Sequence, residues 1–301
     1  MRTLVTGGAG FIGSHVVDAL LDDGHEVAVV DDVSTGRHEN LRPDVILHRA
    51  DIVDAAAMQA LIASEQPEAV VHMAAQIGVR RSVEDPAHDV LINVAGTAIV
   101  LEAARAVGVR RFVFASTGGG LYGEATTLPT PEDTPIAPMA PYGTSKAAAE
   151  TYLALYERLH GLSTLSLRMA NVYGPRQSPL GEGGVVARFC GAVTEGRSVT
   201  VFGDGQQTRD LVYVGDVADA FVAAVRSDAR GALNIGTGEE TSVLGLAALL
   251  DAEPQFAPPR LGEVRRSCLD CTRAAEVLGW RADTTLSDGL TRTREWVGAT
   301  A

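Results

Sequence analysis

Short runs of β-branched and apolar residues recur along the first half of the chain, at positions 2–6, 26–30, 45–49, 69–73 and 111–115. Between several of them apolar residues return every three to four positions, as in Ile12 to Leu21, Ala55 to Ile62 and Val90 to Ala106, the spacing that puts one apolar stripe on a helix. Strand and helix therefore alternate, which predicts a parallel sheet covered on both faces. A further helix is predicted from Pro141 to about His160, then a strand from Thr164 to Arg168. After Asn171 the texture changes. Gly174-Pro175, Ser178-Pro179 and Gly181, Gly183 and Gly184 mark loops, followed by two βα-like pieces, Val212 to Val225 and Ala232 to Ile235. A proline-rich stretch, Pro254 to Pro259, leads to a helical tail ending near Trp296. The fold expected is α/β: a doubly wound parallel sheet over residues 1–170, with later pieces near 212–235 returning to it, and a smaller α/β substrate-binding lobe mainly from 171–301.

Composition narrows the function. With 46% apolar and 21% charged residues the chain is globular. Its net charge of −13 argues against nucleic acid as a partner, because that affinity comes from Lys and Arg on phosphates. A local arginine and backbone amides still suffice for a phosphorylated small molecule. Three cysteines, Cys190, Cys268 and Cys271, suit a reducing compartment. The C-x-x-C of Cys268 and Cys271 has no second Cys or His pair, and the histidines are scattered, so no metal site is expected. No uncharged apolar run reaches about 18 residues, so no membrane span is expected. Arg2-Thr-Leu-Val-Thr6 enters a strand pattern at once, leaving no room for a signal peptide, and a cytoplasmic protein is expected.

Candidate chemistry begins where the first strand ends. Thr6-Gly-Gly-Ala-Gly-Phe-Ile-Gly13 satisfies G-x-x-G-x-x-G through Gly7, Gly10 and Gly13, and G-x-G-x-x-G through Gly8, Gly10 and Gly13. Such glycines permit a tight turn, close backbone approach to a pyrophosphate and close helix packing, with the helix N-terminus facing the anion. Asp31 closes the second strand, 18 residues beyond Gly13, where a carboxylate meets the adenosine ribose. Asp31-Asp32 offers no arginine for a 2′-phosphate, which favours NAD over NADP. Asp51, after the third strand, either reaches the adenine or caps the next helix.

Two further pieces point to oxidation of an alcohol. Tyr142-Gly-Thr-Ser-Lys146 sets Tyr142 and Lys146 four apart on one helix face. A nearby ammonium favours the phenolate and is expected to lower the tyrosine pKa toward the working pH, making a general base. Arg111-Phe-Val-Phe-Ala-Ser116-Thr117 ends a strand with two hydroxyls at the carboxyl edge, and Gly118-Gly-Gly120 after it lets substrate approach the backbone.

With these in place the chain resembles the extended short-chain dehydrogenases/reductases, specifically the NAD-dependent nucleotide-sugar epimerase/dehydratase group with its Rossmann sheet. The match runs through Gly7 to His15, Val71-His-Met-Ala-Ala75, Ser82-Val-Glu-Asp-Pro86, Asn93 with Gly96-Thr97, Tyr122-Gly123, Arg168 to Pro175, Gly203-Asp-Gly205, Arg209-Asp210, Val214 to Ala218, Asn234 to Gly238 and Leu278-Gly-Trp280. The resemblance implies Tyr142 as base, Lys146 on the nicotinamide ribose and Thr117 as the catalytic hydroxyl. It extends the NAD site to Phe11, Ile12, Asp32, Ser34 and Gly36, and onward to Ile52, Ala74, Ala75, Gln76 and Asn93. For the sugar nucleotide it implies Asn171, Arg209 and Arg260 near the diphosphate, Phe202 near the uridine, and Val185, Val201 and Glu263 beside them, Glu263 replacing the group's usual Asp.

The reaction implied is C4 epimerisation of a UDP-sugar, UDP-glucose and UDP-galactose first, through a 4-keto sugar. UDP-glucuronate is an alternative if Arg176 or Arg188 meets its carboxylate. UDP-GlcNAc is another if the small Ser267 admits an N-acetyl group. A 4,6-dehydratase normally carries Asp-Glu after the catalytic Thr, and Gly118-Gly119 stand there instead. A simple reductase shares Tyr and Lys; a cofactor-sensing scaffold on the same fold usually lacks them. Relatives imply a homodimer formed by the helices of residues 90–107 and of Tyr142, with Ala95, Ala98, Ala103, Ala104, Ala147, Ala148 and Ala149 permitting close approach.

Overall fold

The computed structural model describes residues 1–179, 184–259 and 264–300. The chain opens with β1 (Arg2–Thr6), α1 (Phe11–Asp22), β2 (Glu26–Asp31), β3 (Ile46–Arg49), α2 (Ala55–Glu65) and β4 (Ala69–His72). It continues through α3 (Val79–Glu84), α4 (Pro86–Val90), α5 (Thr97–Ala106), β5 (Arg111–Thr117), α6 (Gly118–Leu121), α7 (Pro141–His160) and β6 (Ser163–Met169). Then follow β7 (Asn171–Tyr173), α8 (Val185–Thr194), β8 (Val199–Phe202), β9 (Thr208–Arg209), β10 (Leu211–Tyr213), α9 (Val214–Arg226) and β11 (Gly231–Ile235). The tail holds β12 (Thr241–Ser242), α10 (Val243–Leu249), β13 (Pro254–Ala257), β14 (Arg266–Ser267), α11 (Thr272–Leu278) and α12 (Leu286–Thr300).

Seven strands form one sheet in the order β11-β6-β5-β4-β1-β2-β3, every neighbouring pair parallel. Alternate residues feed two cores, because side chains of a strand point to opposite faces. Val5, Val71 and Val113 pack with Val16, Val17 and Phe221 from α1 and α9. Leu4, Val70 and Phe112 pack with Met58, Leu101 and Leu153 from α2, α5 and α7. Each such side chain, fully buried, contributes about 1.5–3 kcal/mol, which is why the strands read as unbroken apolar runs. The strand order reverses between β1 and β4, and ligands of such sheets gather at the carboxyl ends there.

Two predicted elements differ in form. The helix expected over Val90 to Ala106 starts earlier, at Pro86, with the Asp85 carboxylate accepting the His88 N–H at 3.0 Å. Its middle, Leu91–Gly96, is a π-helical turn. Gly96 presses on Ile52 there, a Cβ standing 2.7 Å from Ile52 Cδ1, and the Thr97 hydroxyl donates to Asn93 O at 2.7 Å. The stretch Pro86–Ala106 is by length and mean hydropathy (1.3) apolar enough to cross a membrane; Val100, Leu101 and Ala104 on it are instead core residues of this fold. Of the pieces near 212–235, α9 and β11 join the main sheet, whereas β10 pairs with β7 in a separate two-stranded sheet, since β7 leaves β6 at Ala170 and β10 follows it. A third core, with Val186, Phe189, Val201, Leu246 and Leu290, holds the smaller lobe.

Candidate active site

At the end of β1 the backbone is pressed together. Gly7 has φ 68°, and a Cβ there would lie 2.6 Å from Ala74 N; a Cβ on Gly13 would lie 2.1 Å from Gly7 O. Only glycine allows both approaches. A Cβ on Gly10 would meet only Gly7 O, at 3.2 Å, so the outer side of the loop is open. Helix α1, opening on Phe11 and Ile12, has no acid in its first turn and no side-chain cap, which leaves its first N–H groups for an anion.

Acidic residues frame this loop. Asp31, buried at the end of β2, accepts the Ala9 N–H at 2.9 Å and the Val33 N–H at 2.8 Å, and burial pushes its carboxyl up. Asp32 accepts from the N–H and hydroxyl of Ser34. Gly36 lies against the loop, its Cβ position 3.0 Å from Ala9 C. Asp51 accepts the Val53 N–H, while Asp54 caps α2, so the capping alternative for Asp51 falls to its neighbour.

Behind the loop runs a hydrogen-bond chain of one direction. Thr6 Oγ1 accepts the N–H groups of Met73 and Ala74, so its own proton goes to His72 Nδ1 at 2.7 Å. His72 Nε2 then donates to Thr97 Oγ1 at 3.0 Å, and Thr97 to Asn93 O. Burial and the Lys146 charge push His72 down to about 3, so it is neutral. Asn93 in turn clamps Gln76, accepting its N–H and donating to its carbonyl, both at 2.9 Å, and the Ala74-Ala75-Gln76 turn is fixed beside the loop. An open anion loop, a buried acid closing the second strand and two carboxylates opposing a 2′-phosphate fit NAD.

Beside it, β5 delivers Thr117. Thr117 Oγ1 accepts the Gly120 N–H at 3.2 Å, and Thr117 and the Tyr142 ring lie together around Gly120, whose Cβ position is 3.3 Å from Thr117 Oγ1 and 3.6 Å from Tyr142 Cδ1. Tyr142 sits in the first turn of α7, which lacks a cap from its own side chains; Ser82 of α3 accepts the Tyr142 N–H at 3.1 Å. Gly143 is required next to it, because a Cβ there would lie 2.1 Å from Gly120 O. One turn on, Lys146 is buried, its Nζ donating to Ala115 O at 2.9 Å and lying 4.7 Å from the Phe114 ring centroid.

The electrostatics correct one expectation. Tyr142 is not lowered toward the working pH: burial, then the Asp89 charge, push it up to about 12, with the Thr117 hydroxyl acting the other way. Lys146 is itself pushed down to about 8 by burial, against the charges of Asp89 and Glu150. Desolvation of two enclosed groups outweighs what either gains from its neighbours.

Across from the tyrosine stands a wall of small residues. A Cβ on Gly119 would lie 3.5 Å from Ser267 Oγ and 3.9 Å from Asn171 Oδ1; one on Gly118 would lie 2.5 Å from Leu269 Cδ1. Asp210 ties this wall together, its carbonyl accepting the Asn171 N–H at 3.0 Å and its N–H donating to Ser267 O at 2.8 Å. Its buried carboxylate accepts from the Thr237 N–H and hydroxyl and from the Gly238 and Leu269 N–H groups. Arg209 is in register with Ser267 on β9 and β14. Val185 and Phe202 are half-buried at the edge of the lobe. Val201 turns its side chain into the lobe core: β8 alternates, and Val199 and Val201 face that core. Arg260 and Glu263 lie outside the described residues.

Comparison with known proteins decides the family. Residues 3–236 match the NAD dependent epimerase/dehydratase family. The chain belongs to that family. It is 50% identical to a UDP-glucose 4-epimerase of Mycolicibacterium smegmatis, over 98% of each chain. It superposes with TM-score 0.98 and 46% identity on a UDP-glucose 4-epimerase from Thermotoga maritima crystallised with UDP-glucose, covering 100% of this chain and 99% of that one. With a Thermus thermophilus UDP-glucose 4-epimerase in complex with NAD the TM-score is 0.95 and the identity 43%, over all of both chains.

In this epimerase/dehydratase chain several residues that sequence reasoning missed hold the site in place. Ser82, within the Ser82–Pro86 match, anchors the start of α7. Glu150, one turn after Lys146, forms a bidentate pair with Arg168 and accepts from the Ser116 hydroxyl at 2.5 Å. Asp210 follows Arg209. Asp89, an acid inside an apolar helical stretch, is fully buried beside the Tyr142–Lys146 pair. Among the described residues no group of three or more His, Cys, Asp or Glu side chains gathers as a metal site.

Proposed function

We propose that this family member is a UDP-sugar 4-epimerase that interconverts UDP-glucose and UDP-galactose. The observation that carries the reading is Thr117 and Tyr142 set together around Gly120, next to a wall of Gly118, Gly119, Asn171 and Ser267 that holds no acid among these described residues. An acid at position 118, as dehydration would need, has no room, since Leu269 fills the place of its side chain. Bound NAD supplies a hydride acceptor and donor and a fixed positive charge. The Tyr142 phenolate, to which the Thr117 hydroxyl donates and beside which the buried Lys146 ammonium adds positive charge on the same helix face, takes the O4 proton of the sugar and becomes the neutral phenol. Loss of that proton together with the C4 hydride, which the nicotinamide would accept, leaves a 4-keto sugar. For inversion it must present its other face, and Gly119, which has no side chain, and the small Ser267 put little bulk in the way of that turn. Binding energy then belongs on the nucleotide, to Arg209, Arg260, Glu263, Phe202, Val185 and the Val201 backbone. The NAD site is the loop from Gly7 to Gly13 with Asp31, Asp32, Ser34, Gly36, Asp51, Ile52, Ala74, Ala75, Gln76 and Asn93.

The test is incubation of the purified protein with UDP-glucose, UDP-galactose, UDP-glucuronate and UDP-GlcNAc, without added reductant, and product identification by NMR. Interconversion of the two hexoses is expected; inversion of UDP-glucuronate alone overturns the reading. Arg176 argues against the uronate, because its guanidinium donates to Asp18 at 2.8 Å. One observation favours UDP-GlcNAc as a second substrate: the wall at this point carries only the small Ser267 against Gly119, where a bulkier side chain would compete with an N-acetyl group.

The reading extends to assembly and place. Val79, Val83, Val90, Leu91 and Tyr152 expose apolar surface on α3, α4, the π-helical turn and α7, and a groove lined by Val94, Met139, Ala140 and Ala148 adjoins them. A second copy of the chain is the proposed occupant, read out by light scattering. Ala103, Ala104 and Ala149 do not serve it, being buried in this chain's own core, where α5 and α7 approach the sheet. All three cysteines are free, which accords with a cytoplasmic protein. Residues 1–170 with α9 and β11 are assigned to NAD, and most of 171–301 to the sugar nucleotide.

A further inference from the structure

The epimerisation chemistry makes no use of Asp89, yet that carboxylate is fully buried on α4. Its Oδ1 accepts from Gln76 Nε2 at 2.8 Å and Asn93 Nδ2 at 3.1 Å, while Oδ2 has no hydrogen-bond partner among the described residues. A buried carboxylate oxygen left unpaired costs free energy that an apolar residue would not incur. Something nearby must make the charge useful. Lys146 Nζ has three protons and gives one to Ala115 O. Its ammonium is buried as well, and α4 packs directly on α7.

We propose that Asp89 is the buried counter-charge of the Lys146 ammonium, a positioning residue that keeps Lys146 protonated and thereby sets the pH window in which the Tyr142–Lys146 pair works. This rests on Tyr142 being the base. The other groups around the pair are accounted for. Glu150 on α7 also raises the proton affinity of Lys146, less than Asp89 does, and is itself neutralised by Arg168 of β6 and hydrogen-bonded by Ser116. His72 of β4 is neutral. Arg80, Arg81 and Glu84 of α3, Asp85 before α4 and Glu102 of α5 are exposed, and the half-buried His88 lies 3.4 Å from Arg81. Asp89 is thus the enclosed anion without a cation of its own, and both Lys146 and Tyr142 feel it: it raises the proton affinity of each. The arrangement carries a cost, since the same charge opposes the phenolate. Its gain is a lysine still charged near neutral pH, where burial alone would discharge it.

The test is Asp89→Asn, which keeps shape and an Oδ1 acceptor and removes the charge. Both limbs of the pH profile of kcat are expected to move to lower pH by about one unit, because each group loses a neighbouring anion. A second readout needs no turnover. In carbon-13-tyrosine spectra of the NAD-free protein, with the signal assigned by its loss in Tyr142→Phe, the Tyr142 titration should also move down. Gln76→Met, which removes an Asp89 partner but no charge, should lower activity without moving either limb or the Tyr142 signal. Should Asp89→Asn not fold, Asp89→Ser replaces it. A folded variant with limbs and signal at wild-type positions overturns the proposal, as does failure of both variants to fold, which would make Asp89 a requirement of the fold alone. A wild type inert toward every UDP-sugar, with the Tyr142 signal still shifting in Asp89→Asn, would instead overturn the epimerase reading and leave the charge pairing standing.

Discussion

At the ends of β1 and β4 backbone meets backbone with no space for a single methyl group, and the polar side chains from Thr6 through His72 and Thr97 to Asn93 are linked hydrogen bond to hydrogen bond. At the end of β5, a few residues away, a Cβ on Gly119 would only touch Ser267 and Asn171, at 3.5 and 3.9 Å, and the strands behind them are only two or three residues long. The first arrangement suits a group that must not move; the second suits one that must turn over within its site. An enzyme that oxidises and re-reduces the same carbon needs both, since affinity placed on the hexose itself would resist the turn. Tyr142 stands at the seam, beside Thr117 of the open side and anchored by Ser82 on the rigid side.

The largest effect should come at that seam. Tyr142→Phe removes the proton acceptor and leaves the packing of the ring, so turnover is expected to fall by about a thousandfold or more. UDP affinity, measured by calorimetry, should stay within about twofold because the nucleotide is assigned to the other lobe. Retained turnover would remove the tyrosine from the mechanism.

Next comes the rigid side. Gly13→Ala places a methyl 2.1 Å from Gly7 O, and neither the helix nor the turn has room to retreat. Overpacking of this kind costs about 1–3 kcal/mol, equivalent to a loss of roughly tenfold to a hundredfold in NAD affinity by titration calorimetry. Unchanged NAD binding would show that the loop is not the anion cradle.

The same contrast explains what was legible in the sequence. Glycines spaced for a turn, Asp31 at a strand end and the strand periodicity all report local backbone geometry, and the main sheet appears nearly at its predicted boundaries. The Tyr142–Lys146 spacing was legible too, because it follows from one helix. The proton affinity of Tyr142 was not. It depends on how completely α3, α4 and β5 enclose the phenol, and on Asp89, which is 53 positions away in the chain. The buried alanines of α5 and α7 differ from expectation for a similar reason: a small residue on a helix reads alike whether the close neighbour is a second subunit or the chain's own sheet. Val201 shows why a role carried over residue by residue needs the local pattern beside it, since the alternation of Val199-Thr-Val-Phe202 turns its side chain into the lobe core.

A third effect tests the rigid side through pH. His72 is pushed down to about 3 in the folded protein against 6.5 when exposed. Its contribution is therefore fully present above about pH 6.5 and is lost as pH falls toward 3, on the order of 4 kcal/mol in all. Thermal unfolding followed from pH 7 to pH 4 should show a falling melting temperature, with a shallower fall in His72→Asn, where nothing titrates. Equal slopes in the two proteins would mean that the histidine stays neutral for free, or that other groups govern acid unfolding.

The smallest expected change is on the open side, where the structure leaves the most freedom. Ser267→Tyr fills the space in front of Gly119 with a ring, while Asp210 keeps the backbone on both sides pinned. UDP-glucose, whose C2 bears only a hydroxyl, should keep its kcat/KM within a few fold. UDP-GlcNAc, with its N-acetyl group, should lose about tenfold or more, the cost of crowding worth at least about 1.4 kcal/mol. Both follow from competition for the same volume, so the ratio of the two kcat/KM values is the quantity to measure. If both substrates fall together, the tyrosine blocks the turning of the sugar itself, and the space beside Gly119 belongs to catalysis rather than to selection. If neither falls, Ser267 faces away from the hexose and the open wall must be sought nearer Asn171.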